Sequence, residues 1–364
     1  MPTKCAFVWD DQLSSYRFSE HHPLNPERLG LTLMRMRRLD LLDGRNVHII
    51  KPRVATDEEL ISVHAREYVA AIKRGQPDLR YGLGTEDVPA VPGMHEAAAH
   101  IVGATLVAAE QVMSGAVTRA FSMSGGLHHA HRMQASGFCI YNDLAVAIRY
   151  MQQTWGARVM YIDYDAHHGD GVQWIFYHDP EVLTVSYHES GAFLFPGTGF
   201  IDEIGEGEGY GYSVNVPLDP NTEDESFIQV FRDLVPMLAD AFQPNVIVLQ
   251  NGCDAHFLDP LTHLRTTTRM TEAVVRTVIE IADKHCEGRI VATGGGGYAI
   301  EEVVPRAWSM VWSLLRGIDP DPSLYDPPGL VPPLPNNHAE MNDKTMRAAR
   351  ARVMPLVTGW GLAF

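Results

Sequence analysis

Short apolar runs alternate along this chain with longer stretches in which apolar residues return every third or fourth position. The short runs are mostly apolar on both faces, the pattern of parallel strands covered on both sides. They predict strands at Cys5–Trp9, Val47–Ile50, Thr118–Ser122, Arg158–Asp163, Leu183–Ser186, Tyr212–Val216, Val246–Gln250 and Ile290–Thr293. The longer stretches predict helices over Pro26–Leu42, Gly93–Met113, Asn142–Thr154, Glu223–Phe242, Thr268–Cys286 and Ile300–Arg316. Strands that alternate with helices in this way indicate an α/β fold: a mostly parallel sheet of about eight strands with helices on both faces. In such sheets ligands bind beyond the carboxyl ends of the strands.

The periodic pattern predicts a single domain over residues 1–318, with 319–364 packing on it or extending from it. Seven prolines between Pro320 and Pro335 argue for an extended surface path there. A last helix is expected over Asn342–Val353, before the apolar end LVTGWGLAF. Hydrophobic residues make up 45% of the 364 and charged residues 20%, ordinary for a soluble globular protein. The 45 acidic side chains against 29 basic ones, a net charge of −16, disfavour nucleic acid or an anionic membrane as partner. The absence of a long apolar run and of a basic, apolar leader leads to the expectation of a cytoplasmic protein without a membrane span. Cys5, Cys139, Cys253 and Cys286 form no C-x-x-C pair, so buried thiols are expected rather than disulfides or a zinc ribbon. Nothing in the sequence argues for an oligomer.

The chemistry concentrates at the carboxyl ends of the predicted strands. In VMYIDYDAHHGDG, Val159–Gly171, a strand breaks into a polar loop. Asp163, Asp165 and His167 lie two apart, and side chains two apart on extended backbone share a face. Carboxylate and neutral imidazole suit a zinc-like divalent ion, and a catalytic zinc needs about three protein ligands. NVIVLQNGCDAHFLDP offers the third: Asp254 lies nearest its strand, with His256 and Asp259 as competitors. In SGGLHHA, His128 and His129 follow another strand end. A histidine acting as a base needs a carboxylate to fix its tautomer, and Asp163 and Asp170 are the unspent acids. Tyr298, after the four glycines of IVATGGGGYAI, is a candidate oxyanion donor, and the glycines permit close backbone approach. That run lacks both the Lys-Ser/Thr of a P-loop and the spaced glycines of a dinucleotide fingerprint.

SGGLHHA, ASGFC.YND, YIDYDAHHGDGV, LTVSYHES, FPGTG, LQNGCDAH..DPL and GGGGY together resemble the zinc-dependent histone deacetylases, and among bacterial members the acetoin-utilization (AcuC-type) branch. The resemblance runs from Ser19 to Trp312. It implies the three-layer arginase–deacetylase fold and hydrolysis of an acetyl-lysine amide, on a metabolic enzyme such as acetyl-CoA synthetase. It implies zinc, or ferrous iron in the cell, on Asp165, His167 and Asp254. It makes His129 the general base and acid backed by Asp170, His128 an electrostatic partner backed by Asp163, and Tyr298 the carbonyl polariser. Phe138 and Phe195 resemble the walls of the lysine passage, with Gly137 giving room and Leu261 beside it. Asp87, or its neighbour Glu86, resembles the rim carboxylate that grips substrate amides, and Arg28 the arginine of an internal channel. Potassium is implied at Asp163, Asp165, His167, Ser186 and Tyr187, and a second at Phe176, Asp179, Val182 and Tyr212.

Three rival functions remain to be weighed. A binuclear manganese ureohydrolase needs D-x-H-x-D, and Gly169 stands where its last carboxylate belongs. An acetylpolyamine deacetylase of the related type uses a glutamate gate, where this chain has Leu261. A non-catalytic acetyl-lysine reader predicts loss of a catalytic group, and none is missing.

Overall fold

The computed structural model describes residues 3–330, 340, 343–344 and 346–352. Eight strands, β1 (Cys5–Val8), β2 (Val47–Ile50), β3 (Arg119–Ser122), β4 (Val159–Asp163), β5 (Val182–Glu189), β6 (Ser213–Leu218), β7 (Val246–Gln250) and β8 (Ile290–Thr293), form one sheet in the order β2-β1-β3-β8-β7-β4-β5-β6. Every pairing in it is parallel. The central strands are buried on both faces, which is why their sequences are continuously apolar rather than alternating. Edge strand β2 is only half covered, and Pro217, which cannot donate to a ladder, sits in the opposite edge strand β6.

The helices are α1 (Glu27–Arg38), α2 (Asp57–Ile61), α3 (Arg66–Arg74), α4 (Met94–Met113), α5 (Asp143–Trp155), α6 (Asp170–Ile175), α7 (Asp224–Phe242), α8 (Thr268–His285) and α9 (Val304–Leu315). They cover the sheet in two layers: α3, α4, α5 and α6 pack in series on one side, and α1, α9, α8 and α7 on the other. Small residues let α4 lie close to its neighbours. A methyl group on Gly103 would meet the Arg53 carbonyl oxygen at 1.7 Å. All six expected helices and all eight expected strands are present.

The differences have physical causes. Strand β5 runs three residues past its expected end at Ser186, because His188 and Glu189 are buried with hydrogen-bond partners and so prolong the strand despite their polarity. Helix α2 is short and rests on a capping box between Thr56 and Glu59. Helix α3 buries Tyr68, Val69, Ala71 and Ile72 and stops at Gly75 in the left-handed conformation. Helix α6 begins inside the polar stretch expected to be loop.

The proline-rich run is not wholly extended either. Pro322–Leu324 form a 3-10 turn, Leu324 is buried, and Asp326 pairs with Arg306 and His256. Of the expected last helix, residues 343, 344 and 346–352 are helical, and Ala349 is buried. Residues 331–335 of the proline-rich run, and the apolar end, lie outside the described residues. No helix among the described residues is long and apolar enough to cross a membrane.

Strand order decides where a site can form. The chain leaves β4 toward β5 on one side, and leaves β7 toward β8 on the other. Adjacent parallel strands whose connections part in opposite directions open a crevice at their carboxyl ends. Register places Ser122, Thr293, Gln250, Asp163 and Ser186 in one row across β3, β8, β7, β4 and β5. The loops that leave this row carry the polar side chains described next.

Candidate active site

Asp165 and His167 leave β4, and Asp254 leaves β7, on the two sides of the crevice. All three are buried, and their potential ligand atoms lie within 4.8 Å of one another. His167 Nδ1 is 2.9 Å from Asp254 Oδ2 and 3.2 Å from Asp165 Oδ1. Surrounding donors orient the carboxylates: Gln250 Nε2 and Gly296 N each donate to Asp165 Oδ2 at 2.7 Å, and Ala166 N donates to Asp254 Oδ1 at 2.8 Å. Glycine at 296 is required, since a methyl there would meet Asp254 Oδ2 at 2.0 Å. Asp254, rather than either competitor, completes the cluster. Asp259 instead accepts the backbone N–H of Tyr298 at 2.8 Å, and His256 binds Asp326.

The electrostatics of this cluster fit a divalent cation. Burial, and then the charge of Asp165, push the Asp254 carboxyl up. Burial would also raise Asp165, but His128 and His167 outweigh it and hold Asp165 low. Burial would depress His167, yet its bonds to Asp165 and Asp254 push it up to about 10. Two buried carboxylates this close cannot both ionise without a countercharge. Either a proton on His167 supplies it, or a metal does. Two carboxylate oxygens and one imidazole are the donor set of a zinc site that retains an open position.

His128 and His129 stand beside the cluster, their ring centroids 4.1 Å apart and their Nε2 atoms 3.1 Å apart. Each has its own carboxylate: His128 Nδ1 lies 2.7 Å from Asp163 Oδ2, and His129 Nδ1 lies 2.6 Å from Asp170 Oδ1. Burial would lower both imidazoles. At His128 the charges of Asp163 and Asp165 win and push it up to about 9. At His129 burial and the neighbouring His128 win against Asp170 and push it down to about 4. Their surroundings thus push the two imidazoles in opposite directions, the usual device for dividing acid and base roles.

Tyr298 follows β8, its ring edge-on to Phe138 at 5.9 Å and to His167 at 6.4 Å. Phe195 meets His129 at 5.1 Å and His167 at 6.4 Å. The two phenylalanines thus approach the cluster from different segments. A cavity of about 20 Å³ lined by Arg28, His128, His129, Asp165 and Tyr298, among others, has room for about one water molecule. Gly137 has φ +53°, and a methyl there would lie 2.2 Å from His129 Cδ2. Asp87, not the exposed Glu86, reaches this turn, accepting from Gly137 N at 2.8 Å. Arg28 is buried and donates to the carbonyls of Gly295 and Gly297. Leu261 is half-buried, its N–H held by Asp259.

Ser186 ends the register row beside Asp163, and its hydroxyl lies 2.8 Å from His188 Nδ1. Tyr187 is buried against Phe227 and Phe231. Two successive backbone bonds, Asp179 N–H to the Phe176 carbonyl and Val182 N–H to the Asp179 carbonyl, link α6 to β5, and the Tyr212 carbonyl accepts from Thr184 near the start of β5.

Several partners were not singled out by the sequence reading. Tyr161 donates to Asp163, and His131 Nε2 lies 3.1 Å from Asp170 Oδ2. Asp143 accepts from the N–H groups of Gly126 and Leu127 and so holds the turn before His128. Asn142 ties the carbonyls of His128 and Ala130 to the start of α5. Each had a local signal that was given no role: His131 lies in the histidine-rich stretch, Tyr161 two before Asp163, and Asn142 and Asp143 close the motif ASGFC.YND.

The sequence profile of the histone deacetylase domain matches residues 22–315. This chain belongs to the histone deacetylase family. The acetoin utilization protein AcuC of Bacillus subtilis is 46% identical to it, over 94% of this chain and 96% of that protein. AcuC of Staphylococcus xylosus is 44% identical over 88% and 84%. The crystal structure of a histone deacetylase homologue from Aquifex aeolicus aligns with a TM-score of 0.82 at 29% identity, covering 94% of this chain and 100% of that one. The chain therefore has the arginase–deacetylase α/β fold, lies in the AcuC-type branch, and is a deacetylase, a hydrolase. The family is in general metal-dependent, in keeping with the buried Asp165–His167–Asp254 group.

Proposed function

We propose that this deacetylase hydrolyses acetyl-lysine amides in proteins, using one zinc or ferrous ion held by Asp165, His167 and Asp254. The observation that carries the reading is the convergence of that buried group with paired His–Asp units and a free phenol. When bound, the ion supplies Lewis acidity toward the acetyl carbonyl and toward water. Asp170 takes the Nδ1–H of His129, which leaves His129 Nε2 to accept a proton from the attacking water. The same nitrogen returns that proton to the departing lysine amine. His128, whose charged form Asp163 favours, stabilises negative charge developing on the acetyl group. Tyr298 donates its hydroxyl hydrogen to the oxyanion. Phe138 and Phe195 hold the alkyl stem and exclude water, with Asp87, Gly137 and Leu261 shaping the mouth.

We assign two potassium ions to structural positions, one at Asp163, Asp165, His167, Ser186 and Tyr187, the other at Phe176, Asp179, Val182 and Tyr212. We take residues 1–318 as the deacetylase domain, with 319–364 packing on it or extending from it, and we infer a cytoplasmic enzyme. The substrate we favour is an acetylated metabolic enzyme such as acetyl-CoA synthetase, on the strength of the likeness to the AcuC branch.

Two observations weigh against the rival enzymes. A side chain at 169 has no room, since a methyl there would meet Asp163 Oδ2 at 2.3 Å, so a second carboxylate-bound metal is disfavoured. Leu261, where polyamine deacetylases of this fold carry glutamate, cannot pair with a polyamine cation. The test is deacetylation of acetylated cell lysate, read by mass spectrometry with and without a hydroxamate chelator, beside acetylspermidine turnover. Chelator-sensitive loss of acetyl-lysine is expected. Turnover confined to acetylspermidine would replace the protein substrate with a small amine.

A further inference from the structure

The segment that follows α9 turns back onto α8 and α9. It lies past residue 315, where the match to the histone deacetylase profile ends. Leu324 is buried, and the Tyr325 hydroxyl donates to Glu272 Oε2 at 2.9 Å. The next residue, Asp326, does more than anchor the segment. Its side chain is buried and joins three distant stretches of chain. Oδ1 lies 3.0 Å from His256 Nε2 and 2.7 Å from Arg306 Nη2. Oδ2 accepts the N–H of Thr268 at 2.9 Å and its hydroxyl at 3.0 Å, at the start of α8.

Two of these partners lead to groups of the candidate active site. His256 stands two residues after Asp254. Its Nδ1 accepts the N–H of Leu258 at 3.2 Å, so the ring proton sits on Nε2 and is donated to Asp326. The His256 carbonyl accepts the N–H of Asp259 at 2.8 Å, and Asp259 Oδ2 accepts that of Tyr298 at 2.8 Å. Arg306 lies in the first turn of α9. That turn hangs on the residue after Tyr298, because the N–H groups of Val303 and Val304 both donate to the Ala299 carbonyl. Asp326 therefore bridges the loop that carries Asp254 and the stretch that carries Tyr298.

A buried ionic cluster adds little net stability over well-packed apolar side chains. What it can hold is geometry, since removal of one partner leaves the others buried and unpaired. We propose that Asp326 is a positioning residue of the deacetylase reaction: from beyond the family-matched segment it fixes, through His256 and Arg306, the two stretches that present Asp254 and Tyr298. The proposal rests on the reading above, in which Asp254 holds the ion and Tyr298 polarises the carbonyl.

The test measures acetate release, the zinc dissociation constant and the thermal midpoint on the full chain. Asp326→Asn keeps the shape of the side chain and removes its charge. At saturating zinc it should lower kcat on an acetyl-lysine peptide about tenfold with KM nearly unchanged, because small misplacements of reacting groups are costly. It should also weaken zinc binding several-fold. Thr268→Val removes one donor to Oδ2, leaves every charge in place, and should give the same signature at about threefold; it decides the matter if Asp326→Asn does not fold. Tyr325→Phe frees the adjacent anchor on Glu272 and should lower the thermal midpoint alone. In Asp326→Asn combined with His256→Gln the losses in kcat should not multiply, since both act through one contact. Wild-type kcat and zinc affinity in Asp326→Asn, or in Thr268→Val standing in for it, would reduce the segment to a brace and overturn the proposal, whatever the thermal midpoint. So would a change confined to KM, an equal loss of kcat in Tyr325→Phe, or losses that multiply in the double variant. A wild-type chain that releases no acetate from any acetyl-lysine peptide would sink the lysine-deacetylase reading, and this proposal with it.

Discussion

Replacing Tyr298 by phenylalanine removes one oxygen atom and little else. The hydroxyl makes no hydrogen bond with any other described residue. The ring is held edge-on to Phe138 and His167, and the backbone N–H by Asp259 at 2.8 Å, none of which depends on the hydroxyl. Stability should therefore change by less than about 0.5 kcal/mol. Catalysis should not escape so lightly. Burial, with the charges of Asp254 and Asp165, pushes the phenol well above its ordinary range, so it stays a neutral donor at every working pH. A preorganised donor aimed at a developing oxyanion in a water-poor site contributes about 3 kcal/mol, or on the order of 10²–10³-fold in kcat. Because the interaction forms only in the transition state, kcat and kcat/KM should fall together. The assay is acetate release from an acetyl-lysine peptide, with metal content and thermal midpoint measured on the same preparation. Near-normal kcat with full metal would refute the role of Tyr298. A fall in Tm or in metal content would show that the hydroxyl supports the fold or the ion instead.

Gly137→Ala, with its methyl 2.2 Å from the His129 ring and a backbone φ of +53°, should cost about 1–3 kcal/mol of stability. It should also lower kcat at least tenfold, and a wild-type kcat in a steady-state assay would contradict the packing argument. Asp165→Ala should lose the divalent ion, and full occupancy by elemental analysis would show that the ligands lie elsewhere. His64 is buried, accepts the N–H of Asn142 at Nε2, and is pushed by that burial down to about 4. Its folded pKa lies below the ordinary 6.5, so the unfolded chain binds the proton first. The stability that this neutral histidine contributes is intact above about pH 6.5, and about 3 kcal/mol of it is lost as the pH falls toward 4. Urea unfolding at stepped pH should show a shallower slope in His64→Gln across that window, and an unchanged slope would remove His64 from the account.

The sheet was legible because its strands are buried on both faces, and burial on both faces writes a continuous apolar run. The apolar pattern breaks where polar residues are buried with partners. His188 and Glu189 prolong β5, and Asp170 opens α6, yet to a pattern of apolarity each looks like loop. Part of the site could be seen locally, because Asp163, Asp165 and His167 are bunched where β4 breaks into its loop, although of the three only Asp163 lies on the strand itself. The supporting shell could not. Gln250 orients Asp165 across 85 positions and Asp259 anchors Tyr298 across 39, separations that only strand order closes. Spacing alone could not choose between Asp254 and Asp259. The fold separates them, since the loop after β7 turns Asp254 into the crevice and Asp259 toward the backbone of Tyr298.

The central claim is that one divalent ion on Asp165, His167 and Asp254 serves a single set of catalytic side chains. Metal-stripped protein should be titrated with zinc while acetate release from an acetyl-lysine peptide is followed. Activity should be absent at the start, rise linearly, and reach its plateau at one equivalent per chain. Full activity before any zinc is added, or a plateau only at two equivalents, would contradict the account.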